Sequence, residues 1–327
     1  MAPNMTGMQL IPAEGAVLER ILRQSHDIWS DSLTRPAYER FNAAQMRTAW
    51  GSRRLRRFAL VDERGDLLSS AKRYDLDARL DGRDIRVVGI GAVFTPPEAR
   101  GRGHARRIID EVTGAAASEG ADLALLFSEI DPAYYAAMGY TAVPRRELLI
   151  RTKEQPGAPM VLVRAAEERD IPAVAELARA MAQPYRFALT ASEDFLRFSL
   201  SKKRLLAGFL PPGVLAVEFF IVEEGAGAVA FAILTVTSED VILEMCGDRD
   251  PAGARLGALL QVLRARTPAE PAMQIACFLP PGWLPPQVEI DASARVREEM
   301  MIKPLKDGVL TSPLRESDVL YWHGDVF

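Results

Sequence analysis

The run Ile85–Phe94, IRVVGIGAVF, is apolar at nearly every position. A strand with one buried face alternates apolar and polar residues, whereas a strand apolar on both sides must be covered on both. The chain therefore has to build a sheet with this strand near its centre and helices over both faces. Its neighbours supply the parts. Residues 15–24 and 36–50 carry apolar residues at helical spacing: Val17, Leu18, Ile21 and Leu22, then Tyr38, Phe41, Met46 and Trp50. FALVDERGDLLSSAKRYDL reads as two strands about the turn Glu63-Arg64-Gly65-Asp66, and a second turn, Leu80-Asp81-Gly82-Arg83, leads into the central strand. Helical spacing returns over 103–118. LALLF, 123–127, is a buried strand, followed by a short helix over 132–138 and a strand over 145–151.

This order predicts an α/β fold of the α+β type, a mixed sheet flanked by helices, over residues 1–151. Pro156, Gly157 and Pro159 mark 152–159 as a linker. A weaker echo of the same order follows over 160–305: a strand and helix in MVLVRAAEERDIPAVAELARAM, and a helix over 191–206. Three strands come next, in VLAVEFFIVEE, AVAFAILTV and VILEMC. A helix over 251–265, the strand MQIACFL and a last strand over Val296 to Lys303 complete it. Two tandem domains of one fold are expected, with residues 306–327 as a C-terminal tail.

Over the 327 residues the formal net charge is -4, which gives no basic footprint for nucleic acid. No apolar run approaches the roughly 18 residues needed to span a bilayer. The N-terminus has neither the basic nor the apolar region of a signal peptide. Cys246 and Cys277 lie in apolar, strand-like runs and read as buried free thiols, and the three histidines fall at no metal-ligand spacing. The expectation is a cytoplasmic protein that holds no metal and engages neither nucleic acid nor membrane.

Chemistry concentrates in AVFTPPEARGRGHARRII, residues 92–109. A buried strand ends at Phe94-Thr95, Pro96 and Pro97 stop strand pairing, and Arg100-Gly101-Arg102-Gly103-His104-Ala105 opens a helix. Glycines let the loop turn tightly, so that its N–H groups and the helix N-terminus point at one spot suited to a pyrophosphate. The run lacks the Gly-Lys-Ser/Thr ending of a Walker loop, and it follows a hairpin instead of opening a βαβ unit as the dinucleotide fingerprint does. Taken alone it is also compatible with a plain glycine turn bearing solvated arginines.

Two motifs narrow the choice. Arg100-x-x-Gly103-x-Ala105 resembles the acyl-CoA signature of the GNAT superfamily of N-acetyltransferases, and Tyr135-Ala-Ala-Met-Gly139-Tyr140 resembles that family's second signature. With Ser128-Glu129 before it, the latter run is similar to the enhanced intracellular survival type, in which two such domains stand in tandem and only the first is catalytic. VFTPPEARGRGHA also resembles fungal lysine acetyltransferases. The third, sterol-carrier-like domain of the enhanced intracellular survival type is absent from this sequence, which leaves the acceptor pocket and a homo-oligomeric state open.

The resemblance implies acetyl-CoA as co-substrate. Val93, Phe94 and Thr95 would offer backbone groups to its pantetheine arm, Arg100 to Ala105 would cradle its pyrophosphate, and Ser128 and Glu129 would border the gap that admits it. Tyr135 would protonate the departing thiolate, because a phenol keeps its proton at neutral pH. His104, inside the loop, reads as a phosphate neighbour or a solvated residue. The general base is left among a water chain, Glu129 and the terminal carboxylate of Phe327, which the enhanced intracellular survival type places in its site. The matching second-half loop, CGDRDPAGARLGALL, carries Asp248 and Asp250, which would repel a pyrophosphate, and no Tyr-x-x-x-Gly follows it. The expected function is acetyl transfer to a primary amine of a small molecule or amino acid. An acyl-CoA-binding regulatory module without catalysis and a protein lysine acetyltransferase are the alternatives. The run Arg53-Arg54-Leu55-Arg56-Arg57 reads as a solvated face or helix end.

Overall fold

The computed structural model describes residues 7–153, 160–225, 227–266, 274–295 and 299–327. Most of the expected linker, 154–159, and the start of the strand expected from Val296 lie outside the described residues. The first half of the chain runs β1 (Gln9–Pro12), α1 (Gly15–Trp29), α2 (Arg35–Arg47), α3 (Gly51–Arg54), β2 (Leu55–Val61), β3 (Leu67–Leu80) and β4 (Arg83–Phe94). It continues through α4 (His104–Ser118), β5 (Leu123–Ser128), α5 (Ala133–Ala136), β6 (Thr141–Ala142) and β7 (Arg146–Thr152). The second half runs β8 (Leu162–Ala165), α6 (Ile171–Ala182), β9 (Phe187–Leu189), α7 (Glu193–Phe209), β10 (Ala216–Glu224), β11 (Gly227–Val236) and β12 (Val241–Asp248). After it come α8 (Ala254–Arg266), β13 (Ile275–Cys277), β14 (Val288–Arg295), β15 (Glu299–Pro304) and β16 (Val319–Leu320).

Local chemistry accounts for the helices that frame the site. α1 buries Ile21, Leu22 and Ser25 on one stripe, and α4 buries Ile108, Ile109, Val112 and Ala116 at the same spacing. Pro36 sits in the first turn of α2, where its missing N–H has no helical partner to lose. α7 starts at Ser192, whose hydroxyl accepts the Phe195 N–H at 3.2 Å.

The strands form two mixed sheets flanked by helices, as expected. One has the order β1-β2-β3-β4-β5-β15-β6, with β9 added beside the far end of β3 and β16 beside β9. The other has the order β14-β7-β13-β12-β11-β10-β8. The pairs β4–β5 and β12–β13 are parallel. β4 is central, between β3 and β5, as its two apolar faces require. Val88 and Ile90 pack under α4, and Val87 faces a core that both halves share: Leu76 and Leu80 with Phe187, Phe195 and Tyr321.

Two strands depart from expectation. The strand expected at 145–151, β7, does not close the first sheet; it lies in the second, with Ile150 opposite Ile275 and Ile290. The strand expected to end the second sheet, β15, lies instead in the first, between β5 and β6, with Met301 opposite Leu126 and Ala142. An apolar run such as EMMI reports that it is buried, and its pattern carries no record of which sheet buries it. β1, β9 and β16 have four residues or fewer, too short to show a period. β14, VEIDASAR, does alternate apolar and polar residues and is a legible strand that sequence reasoning missed. The tail is docked, with Leu320, Tyr321 and Trp322 all buried. None of the described helices is long and apolar enough to cross a membrane.

Candidate active site

β4 and β5 run side by side from Val87–Leu123 to Ile90–Leu126 and then part, although β4 continues to Phe94 and β5 to Ser128. The far flank of β5 stays paired to β15 as far as Ser128–Glu299, so the opening lies on the β4 side alone. Backbone groups that line such a gap are free to pair with an extended guest.

A bulge lies at the mouth of this gap. Between β3 and β4 the register steps from Lys72–Gly91 to Ser70–Phe94, so Ala92 and Val93 stand opposite Ala71 alone. Ala92 has φ 47, a left-handed conformation uncommon for a residue with a β-carbon. The bulge takes backbone groups of β4 out of the ladder with β3 beside the gap. Beyond it the strand end is fixed by Ser69, whose hydroxyl donates to the Phe94 carbonyl at 2.9 Å.

The loop after β4 is open. Arg100 Nε donates to the Thr95 carbonyl at 3.1 Å, which draws the loop back across the strand end. Gly101 and Gly103 have φ 74 and 79, and a β-carbon at either would meet nothing within 4 Å. Gly103 is the N-cap of α4 and no side chain caps the helix. The first N–H groups of α4, the space above the two glycines and Arg102 and Arg106 nearby therefore fit a pyrophosphate. His104 is not solvated: it is buried at the start of α4, and burial with Arg102 and Arg107 lowers its pKa.

The remaining sequence candidates separate. Tyr135 lies on α5, half-buried, and lines a cavity of about 380 Å³ together with Ala92, Val93, Ala105, Glu129 and Phe327. Burial, with Tyr134 and Glu129 adjacent, pushes its phenol up to about 12. Tyr134 is 41% exposed at the cavity mouth, whereas Tyr140 is buried. Ser128 does not face the gap as a free hydroxyl; it donates to the Ile130 carbonyl at 2.9 Å and holds the turn after β5. Phe94, Thr95 and the Arg100–Gly103 loop lie beyond this cavity, toward the nest.

Sequence reasoning missed the opposite wall. Arg57, Lys72 and Gly91 occupy one row across β2, β3 and β4, and the cavity is lined there by Arg57, Lys72 and, from α7 in the second half, Lys202. Of the basic run Arg53–Arg57, Arg53, Arg54 and Arg56 pair with Asp194, Asp77 and Asp75 at the surface, but Arg57 is 5% exposed inside. The strand alternation of β2, which puts Arg57 on the same side as Leu55 and Ala59, was the available signal.

The second half repeats the strand, loop and helix but fills the nest itself. The Asp248 carboxylate accepts the N–H groups of Asp250 and Leu256, both at 2.8 Å. A β-carbon on Gly253 would collide with Trp283, whose indole N–H donates to the Pro251 carbonyl at 2.8 Å. Among the described residues no group of three or more His, Cys, Asp or Glu side chains could hold a metal ion, and Cys246 and Cys277 are buried free thiols.

Parted strands, a bulge and an open nest before a helix give a site with the form an acyl-CoA would need. The comparisons agree: residues 18–143 match the family model of the acetyltransferase (GNAT) domain, and the chain carries such a domain. A GCN5-related N-acetyltransferase from Kribbella flavida superposes with TM-score 0.65 at 16% identity, over 92% of this chain and 73% of that one. One from Anabaena variabilis gives TM-score 0.67 at 12% identity over 91% and 73%. Saccharomyces cerevisiae N-myristoyltransferase with bound myristoyl-CoA gives TM-score 0.55 at 11% identity over 92% and 85%. No curated protein matches the chain.

Proposed function

We propose that the chain is an N-acetyltransferase that moves an acetyl group from acetyl-CoA directly to a primary amine of a small molecule or amino acid, in the first of two tandem units. The observation that carries this reading is that Tyr135, the bulge at Ala92–Val93 and the gap between β4 and β5 open on one cavity. Acetyl-CoA supplies an activated carbonyl and a thiolate leaving group. The chain's own residues supply the rest. The Gly101–Ala105 nest anchors the pyrophosphate. Backbone N–H groups freed by the bulge polarise the carbonyl as its oxygen gains charge. The amine nitrogen bonds to the acyl carbon and sheds one proton to a base: Glu129, the terminal carboxylate of Phe327 or water. The carbon–sulfur bond breaks, Tyr135 gives its proton to the sulfur, and the phenolate regains a proton from solvent, so that amide and free thiol leave. The phenol is a weaker acid than a solvated one, but the burial that raises its pKa raises that of a thiolate in the same cavity too. Direct transfer fits the absence of a thiol from this cavity's lining.

The test is thiol release from acetyl-CoA with and without a panel of amines. Amine-dependent release with stoichiometric N-acetyl product is expected. Tight acetyl-CoA binding with no release in any amine would point to a regulatory module instead, and activity confined to protein lysines would replace the small-molecule acceptor.

A further inference from the structure

The cationic wall of the cavity is unexplained by acetyl transfer. An amine acceptor arrives as an ammonium or must shed a proton, and three basic side chains repel it. Yet Arg57, Lys72 and Lys202 converge there from two strands and a helix of the other half of the chain. Arg57 donates from Nη2 to Asn42 Oδ1 at 3.2 Å, while its Nη1 is buried without a partner. Lys72 and Lys202 make no hydrogen bond or ion pair with any described residue; Asp31 is the one acid near both. Gln45, 1% exposed on α2, lines the same wall with both amide atoms unpartnered. Buried polar groups are ordinarily satisfied, and each one left unpaired is costly, more so when charged. So many open donors on one wall describe a receptor for a missing acceptor of hydrogen bonds that carries negative charge.

We infer that Arg57, Lys72, Lys202 and Gln45 form an anion subsite, and that the acceptor is an amine that also bears an acidic group, a carboxylate or a phosphate. This rests on the acetyltransferase reading and narrows its substrate class. Arg57 offers its unpartnered Nη1 to an oxygen while Asn42 and Tyr38 hold the rest of the guanidinium, and the lysines add point charge. Desolvation with the charges of Arg57 and Lys202 holds Lys72 well below the usual lysine range, and desolvation with Lys203 brings Lys202 to about 8. An arriving anion reverses both effects, so its binding draws protons onto the lysines and is strengthened by doing so. The same wall does a second job: it favours the uncharged form of the acceptor's amine, which is the nucleophile. The cavity's own acidic groups are Asp31 at the wall, Glu129 at the Tyr135 end and the terminal carboxylate of Phe327.

Matched acceptors test this on the full-length protein: 6-aminohexanoate against hexylamine, and aminoethyl phosphate against ethylamine, each followed by thiol release. One acid-bearing member should exceed its partner by about tenfold or more in kcat/KM, and Lys202→Met should bring that ratio near one, with Lys202→Arg restoring most of it. Lys202 is half-buried at the cavity edge, so its variants remain informative should Arg57→Gln fail to fold. Calorimetry with hexanoate and with inorganic phosphate, each in the presence of CoA, reads the subsite without chemistry. Saturable binding of one anion, weakened about tenfold by Lys202→Met, supports the subsite and tells carboxylate from phosphate. Binding of either anion with no acetylation of any amine would preserve the subsite and refute the acetyltransferase reading. Wild-type protein that binds neither anion, or acetylates both members of each pair equally well, overturns the inference.

Discussion

The Phe327 ring lies against the backbone of Gly89, on the central strand, so closely that a β-carbon there would overlap it. Gly91 stands in a similar relation, with 3.2 Å from its would-be β-carbon to the ring and to the Phe327 carbonyl oxygen. Tyr74 and Phe127 complete the seat, their ring centroids 4.4 and 5.3 Å away. Residues 320–327 thus cross from the second half of the chain into the cavity of the first.

Gly89→Ala should expel that ring. Overpacking a close backbone contact costs about 1–3 kcal/mol, and here the release falls on the wall of the acceptor cavity. Acetylation should drop about tenfold in kcat while acetyl-CoA affinity changes less than about threefold, since the nest lies beyond Phe94. Removal of Val326 and Phe327 should act in the same direction. A residue appended after Phe327 would separate two roles: loss of activity with the ring still seated assigns the carboxylate, and full activity leaves Phe327 as a wall.

Tyr135→Phe removes one oxygen from a half-buried ring and leaves its packing against Tyr134 and Tyr140. If the phenol protonates the departing sulfur, kcat should fall by about tenfold to a hundredfold with acetyl-CoA affinity retained. Unchanged kcat at saturating substrates would remove Tyr135 from the chemistry.

Gly103→Glu places a carboxylate over the open nest and puts a β-carbon on a backbone at φ 79. Acetyl-CoA binding should be lost in calorimetry while the fold survives, because the space around Gly103 is empty of protein. Near-native affinity would place the pyrophosphate elsewhere.

The legible parts of this chain are those whose signal is local. The two apolar faces of β4 gave its central position, the turns at 63–66 and 80–83 gave the hairpins, and Arg100 to Ala105 marked the open loop. The exchange of β7 and β15 was hidden because pairing partners lie about 120 residues or more apart and leave no periodic trace. Lys202 was hidden for the same reason: on α7 it reads as one exposed charge in SKKR, and only the fold brings it beside Arg57. The bulge at Ala92 was also invisible, since alanine does not advertise a positive φ as glycine does.

The exchange predicts how the halves behave when the chain is cut. β15 supplies the neighbour of β5, β7 supplies the neighbour of β13, and Phe187, Phe195 and Tyr321 fill a core with Leu76 and Leu80. A protease site inserted between residues 153 and 160, then cleaved, should leave both fragments in one particle on native sizing. Either fragment expressed alone should expose an unpaired strand edge and aggregate. Clean separation of two folded monomers would contradict the shared core.

The docking of the tail should depend on pH in a way set by two of its own residues. Asp325 accepts the Trp322 N–H at 2.9 Å, and burial, with Glu244 nearby, pushes its carboxyl from 3.8 up to about 7 against the pull of that N–H and of Lys203. His323 stacks on Phe278 at 3.8 Å, and burial near Arg145 and Lys203 holds it down from 6.5 to about 4, despite Glu147 at 3.1 Å. Between about pH 4 and 6.5 the docked tail carries a proton on Asp325 and none on His323, and the released tail the reverse. The counts match, so these two residues leave stability nearly level across that window. Above 6.5 the released histidine is neutral while Asp325 still holds its proton, and docking weakens as pH rises through about 7. Asp325→Asn deletes one side of the balance. With only His323 left, the unfolded state binds the extra proton, so the variant should gain about 1.4 kcal/mol per pH unit relative to wild type between about pH 4 and 6.5. Urea unfolding of both proteins at pH 4.5, 5.5 and 6.5 reads that difference, in which all other titrations cancel. A difference that stays flat with pH would mean that Asp325 keeps an ordinary carboxyl pKa in the docked tail.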